Sequence, residues 1–574
     1  MGQPEKALTY YNQALPILLK AGDRPVTATT LNNIGEVYRN LKQPQKALEF
    51  YKQALPIYKE VSDISGEAVS LNNIGLVYYQ SKQQEQALTY YNQALLIVQK
   101  IGDTKTEAAI FGNIGTVYRD TNQPVEAIKN LEKAVEITLK IRSGLEKANR
   151  QQFQESSNGR GIGLISLLID QNQSDRAYEW VNLTTTADLA DYSRLINAKV
   201  ANLEAQKAIE QWNQSNRQLE TLRQQLQAKF SVELSAQVDK LQTQVNQQAE
   251  NIARRFPEVA ELFEFQPTDI AKLRANIPAG TVIIQPVLLT DVSNVPDEVA
   301  LFFVTKDKVT VTKQLLDVKA FNALVTQYRQ ELTDIRFPKK FRSTSAKLYD
   351  IIIRPVEAQI ANATQLSIIA TGKLRYIPFE TLIDSKTGKY LIEKYPINNL
   401  TRLSSRSLQQ PPSKKLNLLA LGNPFPDDER NLAGAEVEVK SITALLPSES
   451  YLRKQATLSN FRNLAPRFSI LHLATHGCFQ PQGCGNLKMS ANTLLFSDRA
   501  LNIADAALLG LKNTDLVVLS ACQTALQTSS NGEEFAGIAY LFERAGARSA
   551  IASLWLAKDE ETKQIMIEFY KNLN

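Results

Sequence analysis

The chain has 574 residues, room for roughly three to four domains at ~150 residues each. Its 43% hydrophobic and 22% charged residues are those of an ordinary folded protein and exclude wholesale disorder. With 65 basic against 59 acidic residues, the net charge of +6 gives no case for direct nucleic-acid binding. No apolar run reaches the ~18 residues of a membrane span, and the start of the chain lacks a secretion-signal pattern. Three cysteines are too few for a disulfide framework, which points to a reducing, cytoplasmic setting.

The first third repeats itself. LNNIGEVYRN begins at Leu31, LNNIGLVYYQ at Leu71 and FGNIGTVYRD at Phe111, and Ala47, Ala87 and Ala127 follow at a period of 40. A fixed period in this range is the mark of a solenoid, and each unit has apolar residues at helical spacing. Seven positions agree in three copies. They are Leu31, Ile34, Gly35, Tyr38, Ala47, Tyr51 and Ala54, then their counterparts from Leu71 to Ala94 and from Phe111 to Ala134. Over residues 1–140 this resembles the tetratricopeptide repeat, lengthened after its second helix. Residues 3–14 align with the second helix of a unit, so the first repeat is expected to be incomplete.

Residues 141–255 read as further helices. From Leu164 to Phe256 there is no glycine and no proline. Residues 164–195 look like a degenerate repeat pair. Leu219, Leu222 and Leu226, then Leu234, Val238, Leu241, Val245 and Ile252, predict a coiled-coil-like hairpin bending near Phe230.

After Phe256 the composition changes. TVIIQPVLL (281–289), VALFFVT (299–305), KVTVTK (308–313) and QLSIIA (365–370) predict strands, with helices at 317–332 and 344–360. This half, 256–406, contains neither histidine nor cysteine. A polar, proline-bearing linker is expected at 407–415. From 416 to 574 apolar strands alternate with amphipathic helices, the signature of a mostly parallel sheet covered on both faces. The fold class is therefore an all-α solenoid with a helical hairpin, followed by an α/β domain whose ligands bind at the carboxyl ends of its strands.

The two histidines, His472 and His476, both lie in SILHLATHG, and Cys522 ends the strand DLVVLSAC. His476 and Cys522 fall where such a sheet presents its chemistry, and nucleophilic cysteine catalysis needs a base beside the thiol. His472 reads as a core histidine held by a backbone partner. His472, His476, Cys478 and Cys484 can also be spelled as a zinc site, but an extended strand sets the histidines too far apart for one ion. No metal or cofactor is assigned. Cys478 and Cys484 are expected as free thiols in a surface loop, with an oxidised pair as the alternative.

LHLATHGCF, LVVLSACQTA and GEEFAGIAYLFERAGARSAIASLW together resemble the CHAT domain, a caspase- and separase-like family that often follows tetratricopeptide repeats. The segments GKLRYIPFETL, LALGNPFPD and LAGAEVEVKSI extend the resemblance over about 256–574. It implies a cysteine endopeptidase in which His476 and Cys522 form the dyad and the amides of Gly477 and Cys522 form the oxyanion hole. No third orienting residue is assigned. The first half, 256–406, is then expected to be an inactive counterpart packed on the second. Caspase-like specificity suggests an acidic pocket for a basic side chain, with Glu533, Glu534 and Asp559 as candidates, and Gln-Thr after the cysteine gives no reason to expect cleavage after aspartate.

The repeats imply a protein or peptide partner bound in their groove, with Asn32, Glu36, Arg39, Asn72, Tyr79 and Arg119 as candidate contacts. The recurring Asn33, Asn73 and Asn113 are expected to join neighbouring repeats. The function expected is a partner-gated endopeptidase acting on a protein. The alternative is a repeat scaffold with an inactive peptidase-like domain.

Overall fold

The computed structural model describes residues 4–144, 147–195, 197–292, 295–332, 338–404, 416–479, 483–520, 522–523, 533–552 and 559–573. The linker expected at 407–415 lies outside them. The chain divides into two units, residues 1–173 with 207–255, and residues 174–206 with 256–574.

The first unit is built from successive helices that pack in pairs. α1 (Pro4–Ala21), α2 (Arg24–Asn40), α3 (Pro44–Glu60), α4 (Ile64–Gln80), α5 (Gln84–Lys100), α6 (Thr104–Asp120), α7 (Pro124–Gly144) and α8 (Lys147–Asp170) follow one another. The local sequence sets their limits. Asp23, Asp63 and Asp103 cap α2, α4 and α6 by accepting from Val26, Gly66 and Thr106 amides, and Lys42, Lys82 and Asn122 turn the chain with positive φ. The paired helices touch most closely at Gly35, Gly75 and Gly115. A Cβ there would lie 2.7 Å from Tyr51, Tyr91 and Leu131 respectively. Gly75→Ala is therefore expected to lower stability by about 1–3 kcal/mol through overpacking against the buried Tyr91, measured by thermal or urea unfolding. A neutral substitution would mean that the helices part without cost.

Neighbouring repeats are stitched as the recurring asparagines suggested. Asn73 donates to Asn32 Oδ1 at 3.4 Å, and Asn113 to Asn72 Oδ1 at 3.0 Å. Gly112 stands at the third place in this series, and the Arg160 side chain of α8 fills the space beside it.

The helical hairpin consists of α10 (Leu203–Ala228) and α11 (Val232–Arg255), which meet at the bend expected near Phe230. It packs back onto the repeats: Ser235 donates to the Lys100 carbonyl at 3.1 Å, and the Lys100 ammonium lies 4.7 Å from the Phe230 ring centre.

The helix preceding the hairpin, α9 (Ser174–Leu195), belongs to the second unit, so the degenerate repeat pair is divided after Gln173. The reason is in its side chains. Gln285 donates to Thr185, Asn182 exchanges two hydrogen bonds with the Leu403 backbone, and Tyr192 joins the core of the C-terminal half.

In the second unit, α12 (Ile270–Arg274) leads into β1 (Thr281–Leu289), β2 (Glu298–Val304) and β3 (Val309–Leu315). Next come α13 (Val318–Leu332), α14 (Pro338–Ile352), α15 (Glu357–Ile360), β4 (Gln365–Ile368), α16 (Leu391–Lys394) and β5 (Ile397–Asn399). The sheet order is β3-β2-β1-β4-β5. The first three strands are antiparallel, and the last two run parallel to β1. Phe321, Tyr328, Leu348 and Tyr349 cover it.

The C-terminal half begins with β6 (Leu418–Gly422), α17 (Ala433–Thr443), β7 (Ser448–Leu452), α18 (Leu458–Leu464) and β8 (Ile470–Ala474). It continues with β9 (Gly477–Cys478), β10 (Thr493–Leu495), β11 (Ala500–Asn502), β12 (Leu516–Leu519), β13 (Cys522–Gln523), α19 (Glu533–Ala545), β14 (Ser549–Ala552) and α20 (Asp559–Lys571). Its main sheet, β14-β12-β8-β6-β7, is wholly parallel, as the alternating pattern requires. The central strands β6 and β8 are buried along their whole length. A second, small sheet, β11-β10-β9-β13, sits beyond the carboxyl ends of β8 and β12.

Candidate active site

The site grows from two adjacent parallel strands. β8 and β12 pair from Leu516 opposite Ile470 to Leu519 opposite Leu473, and the Ser520 amide continues the ladder by donating to the Leu473 carbonyl at 2.9 Å. Both chains then enter the small sheet side by side, where Cys522 pairs with Gly477 and Gln523 with Cys478. The Cys522 backbone is thus one strand spacing, ~4.8 Å, from Gly477, the residue that follows His476. The register brings the expected dyad and both expected oxyanion amides to one sheet edge. The side chains of Cys522, Glu533 and Glu534 lie outside the described residues.

His476 is half-buried, and its backbone carbonyl accepts from Leu495 at 2.9 Å. The ring Nε2 lies 2.9 Å from the Arg430 carbonyl. A carbonyl only accepts, so Nε2 carries the proton, and Nδ1 is the acceptor of the neutral ring. Burial is the largest influence on this ring and holds its pKa below the ordinary 6.5. The nearby Arg430 charge acts in the same direction, while the Arg430 carbonyl, Asp559 and Asp428 oppose it. His476 is accordingly neutral at pH 7, the state of a proton acceptor.

The Arg430 carbonyl is aimed by a loop that follows β6. Asn423, buried and at φ 46°, donates to Asn431 Oδ1 and accepts from the Leu432 amide, both at 3.0 Å. The Arg430 guanidinium lies 3.7 Å from the Phe425 ring centre and pairs with Asp428. Asn423, Phe425 and Arg430 lie in or beside the segment LALGNPFPD, and the contact to His476 is a main-chain carbonyl that residue type does not announce.

Asp559 is the first residue of α20, and its Oδ2 accepts from the Gly434 amide at 2.5 Å, close to the start of α17. A Cβ at position 434 would lie 2.7 Å from this carboxylate, so only glycine leaves the approach open. Of the three candidate acidic pocket residues, Asp559 is the one the described geometry puts within electrostatic reach of His476.

Two expectations are corrected. Cys478 and Cys484 are not free thiols in a surface loop. They form a disulfide with a Cα separation of 5.9 Å, buried among Leu487, Met489 and Leu495. They are buried because the turn from Cys484 to Met489 folds inward on reciprocal backbone bonds between those two residues. This also leaves neither sulfur free for the zinc reading. His472 is fully buried as expected, but side chains rather than the backbone hold it: Glu438 at 2.8 Å and Tyr570 at 3.1 Å.

The candidate partner contacts on the repeats are engaged in bonds within the repeats. Asn32 and Asn72 accept from the next repeat. Arg39 pairs with Glu36, which also accepts from Tyr51 at 3.1 Å. Tyr79 and Arg119 both donate to Asp120, at 2.6 and 2.9 Å.

The tetratricopeptide repeat family matches residues 1–60 and 66–140, and the CHAT domain family matches residues 342–574. The chain carries tetratricopeptide repeats followed by a CHAT domain, a caspase-like and peptidase-related family. It is similar to tetratricopeptide repeat protein 28 of Mus musculus and of Homo sapiens, 28% identical to each over 282 residues. The matches cover 39% of this chain but 12% and 11% of those proteins, so the chain spans only a small part of their length. Similar solved structures include BtubC (BKLC) from P. vanneervenii, at 23% identity and a TM-score of 0.27 over 31% of this chain and 71% of that one. Another is Pseudomonas aeruginosa pilF, at 17% identity and a TM-score of 0.21 over 46% and 97%. Likenesses this low carry no argument about the fold. Among the described residues no helix is long and apolar enough to cross a membrane.

The lowered His476 pKa makes a direct prediction. In a Cys522→Ala chain, which removes coupling to the thiol, the His476 ring is expected to titrate with a midpoint below 6.5 in histidine-labelled NMR. Asp559→Asn removes a negative charge that favours the imidazolium, so it is expected to move the midpoint lower still. A midpoint above 6.5 would contradict the neutral base.

Proposed function

We propose that the protein is a cysteine endopeptidase with a His476/Cys522 dyad, acting on a protein substrate and recruited or gated by a partner held on the repeats. The observation that carries this reading is the pairing of Cys522 with Gly477, one residue from a histidine whose Nε2–H is fixed on the Arg430 carbonyl.

The chemistry follows from those groups. His476 Nδ1 takes the Cys522 thiol proton as sulfur attacks the scissile carbonyl carbon. The Gly477 and Cys522 amides stabilise the oxyanion. When the carbonyl re-forms, the C–N bond breaks and His476 delivers its proton to the leaving amine. Water, deprotonated by His476, then attacks the thioester, which releases the new carboxyl terminus and returns the proton to sulfur. Asp559, with Glu533 and Glu534, supports a preference for a basic side chain at the cleaved position.

The test compares new protein N-termini in the native host between wild type and Cys522→Ala. Sites that vanish with Cys522 support the peptidase, and their flanking residues report the specificity. No Cys522-dependent sites, in the presence of the partner captured by the repeats, would favour a scaffold.

A further inference from the structure

One step below the dyad lies a buried polar cluster that the peptidase chemistry leaves unused. His472 sits in the middle of β8, four residues before His476. Its Nε2 is 2.8 Å from Glu438 Oε1 on α17, and its Nδ1 is 3.1 Å from the Tyr570 hydroxyl on α20. The Glu438 approach lies off the direction of the ring N–H, so it is an electrostatic contact rather than an aligned hydrogen bond. The same Glu438 oxygen accepts from the Ser520 hydroxyl at 2.5 Å. All four groups are buried, none more than 2% exposed, and Ala420, Val439, Ile470 and Val518 form the apolar core on this side of the sheet.

A polar side chain in such a core is costly to bury without partners, and Glu438 Oε1 finds the Ser520 hydroxyl and the His472 ring beside it. The cluster therefore has one good arrangement, and every element that contributes to it is held at one depth. Each of those elements also carries part of the site. β8 leads to His476. Ser520, at the end of β12, is two residues from Cys522. α17 begins at Ala433, just after the loop that presents the Arg430 carbonyl, and its Gly434 stands one turn before Glu438. α20 begins with Asp559, which bonds back to Gly434. The helices α17 and α20 are thus tied twice, at their first turns through Asp559 and Gly434 and further along through Glu438, His472 and Tyr570.

We propose that Glu438, with His472, Ser520 and Tyr570, forms a positioning cluster that sets the relative depth of β8, β12 and α17, and so keeps the Arg430 carbonyl on His476 and Cys522 beside Gly477. The proposal rests on the peptidase reading for its effect on rate. None of the four touches the reacting atoms; they act through His476.

The chain has only two histidines, which makes the test selective. The full chain is labelled at histidine nitrogen and carbon, and Glu438→Gln and Tyr570→Phe are compared with wild type. Glu438→Gln keeps the shape and replaces a carboxyl oxygen with an amide nitrogen. It is expected to shift the His476 ring signals as well as those of His472, to lower the fraction of His476 protonated at Nε2, and to reduce kcat about 10- to 100-fold. KM is expected to stay within about twofold, since the substrate contacts are untouched. A core role alone would lower Tm and leave the His476 signals and kcat per folded molecule unchanged, which overturns the proposal. Should Glu438→Gln fail to fold, Tyr570→Phe removes a single hydroxyl and is expected to shift His476 in the same direction by less. Unmoved His476 signals in that variant likewise overturn it. The labelled spectra need no substrate. Absence of Cys522-dependent cleavage in wild type therefore defeats the peptidase reading separately from the cluster.

Discussion

Cys522→Ala is expected to lower the cleavage rate by about 10⁴- to 10⁶-fold, and adding His476→Ala is expected to lower it little further. The reasoning is that the two residues form one device. Without the thiol, His476 has no nucleophile to deprotonate. Without the imidazole, the thiol is unassisted and the leaving amine receives no proton. What survives either loss is the contribution of the oxyanion amides and of substrate binding, which belong to backbone the substitutions leave in place. Rates would be measured on a substrate identified by its new N-terminus, with each variant's fold checked by its unfolding transition. Losses that add in the double variant would mean that His476 and Cys522 act separately. Full cleavage by Cys522→Ala would end the peptidase reading. His476→Gln separates two roles of the ring, because it keeps a donor for the Arg430 carbonyl and loses the base. It is expected to be as inactive as His476→Ala but nearer to wild type in stability.

Much of this architecture was legible in the residues because strong periodicities carry it. The 40-residue repeat fixed Gly35, Gly75 and Gly115 as close-contact positions, and these are where Tyr51, Tyr91 and Leu131 press in. The strands LLALG, LVVL and, apart from His472, ILHLA are apolar runs, which a sheet covered on both faces accommodates. The strand β7, SESYL, was missed because an edge strand needs no apolar run. The helix α9 was read as part of the repeats because its period is helical in either setting. Its place in the second unit depends on polar partners, Gln285 and Leu403, some hundred and two hundred residues away, and no local pattern announces those. The site divided in the same way. His476 and Cys522 stand out by residue type at strand ends, whereas the Arg430 carbonyl is main chain and has no signature in sequence. Glu438 resembles any helix-surface acid until α20 is seen to close over it.

The disulfide carries the second large effect. Breaking Cys478–Cys484 is expected to cost about 2 kcal/mol of stability, from the entropy of a loop with sequence separation 6, and to lower kcat about tenfold. The rate effect follows from what the bond supports. Cys478 pairs with Thr493 on one side and Gln523 on the other, so it anchors the strand that carries Gly477 next to Cys522. Phe425 packs against the buried disulfide cluster, and Arg430 lies over Phe425 while its carbonyl holds His476. Loosening the cluster frees both the oxyanion strand and the support of the base. The measurement compares wild type with a Cys478→Ala, Cys484→Ala double variant in one reducing buffer mild enough to spare the disulfide and keep Cys522 reduced. Both are then measured in a strongly reducing one. Wild type should start faster and more stable and fall toward the variant in the second buffer, while the variant stays unchanged. Equal rates and melting temperatures in the first buffer would show that the disulfide supports neither strand nor loop. A fall in both proteins on strong reduction would trace the loss to something other than this bond.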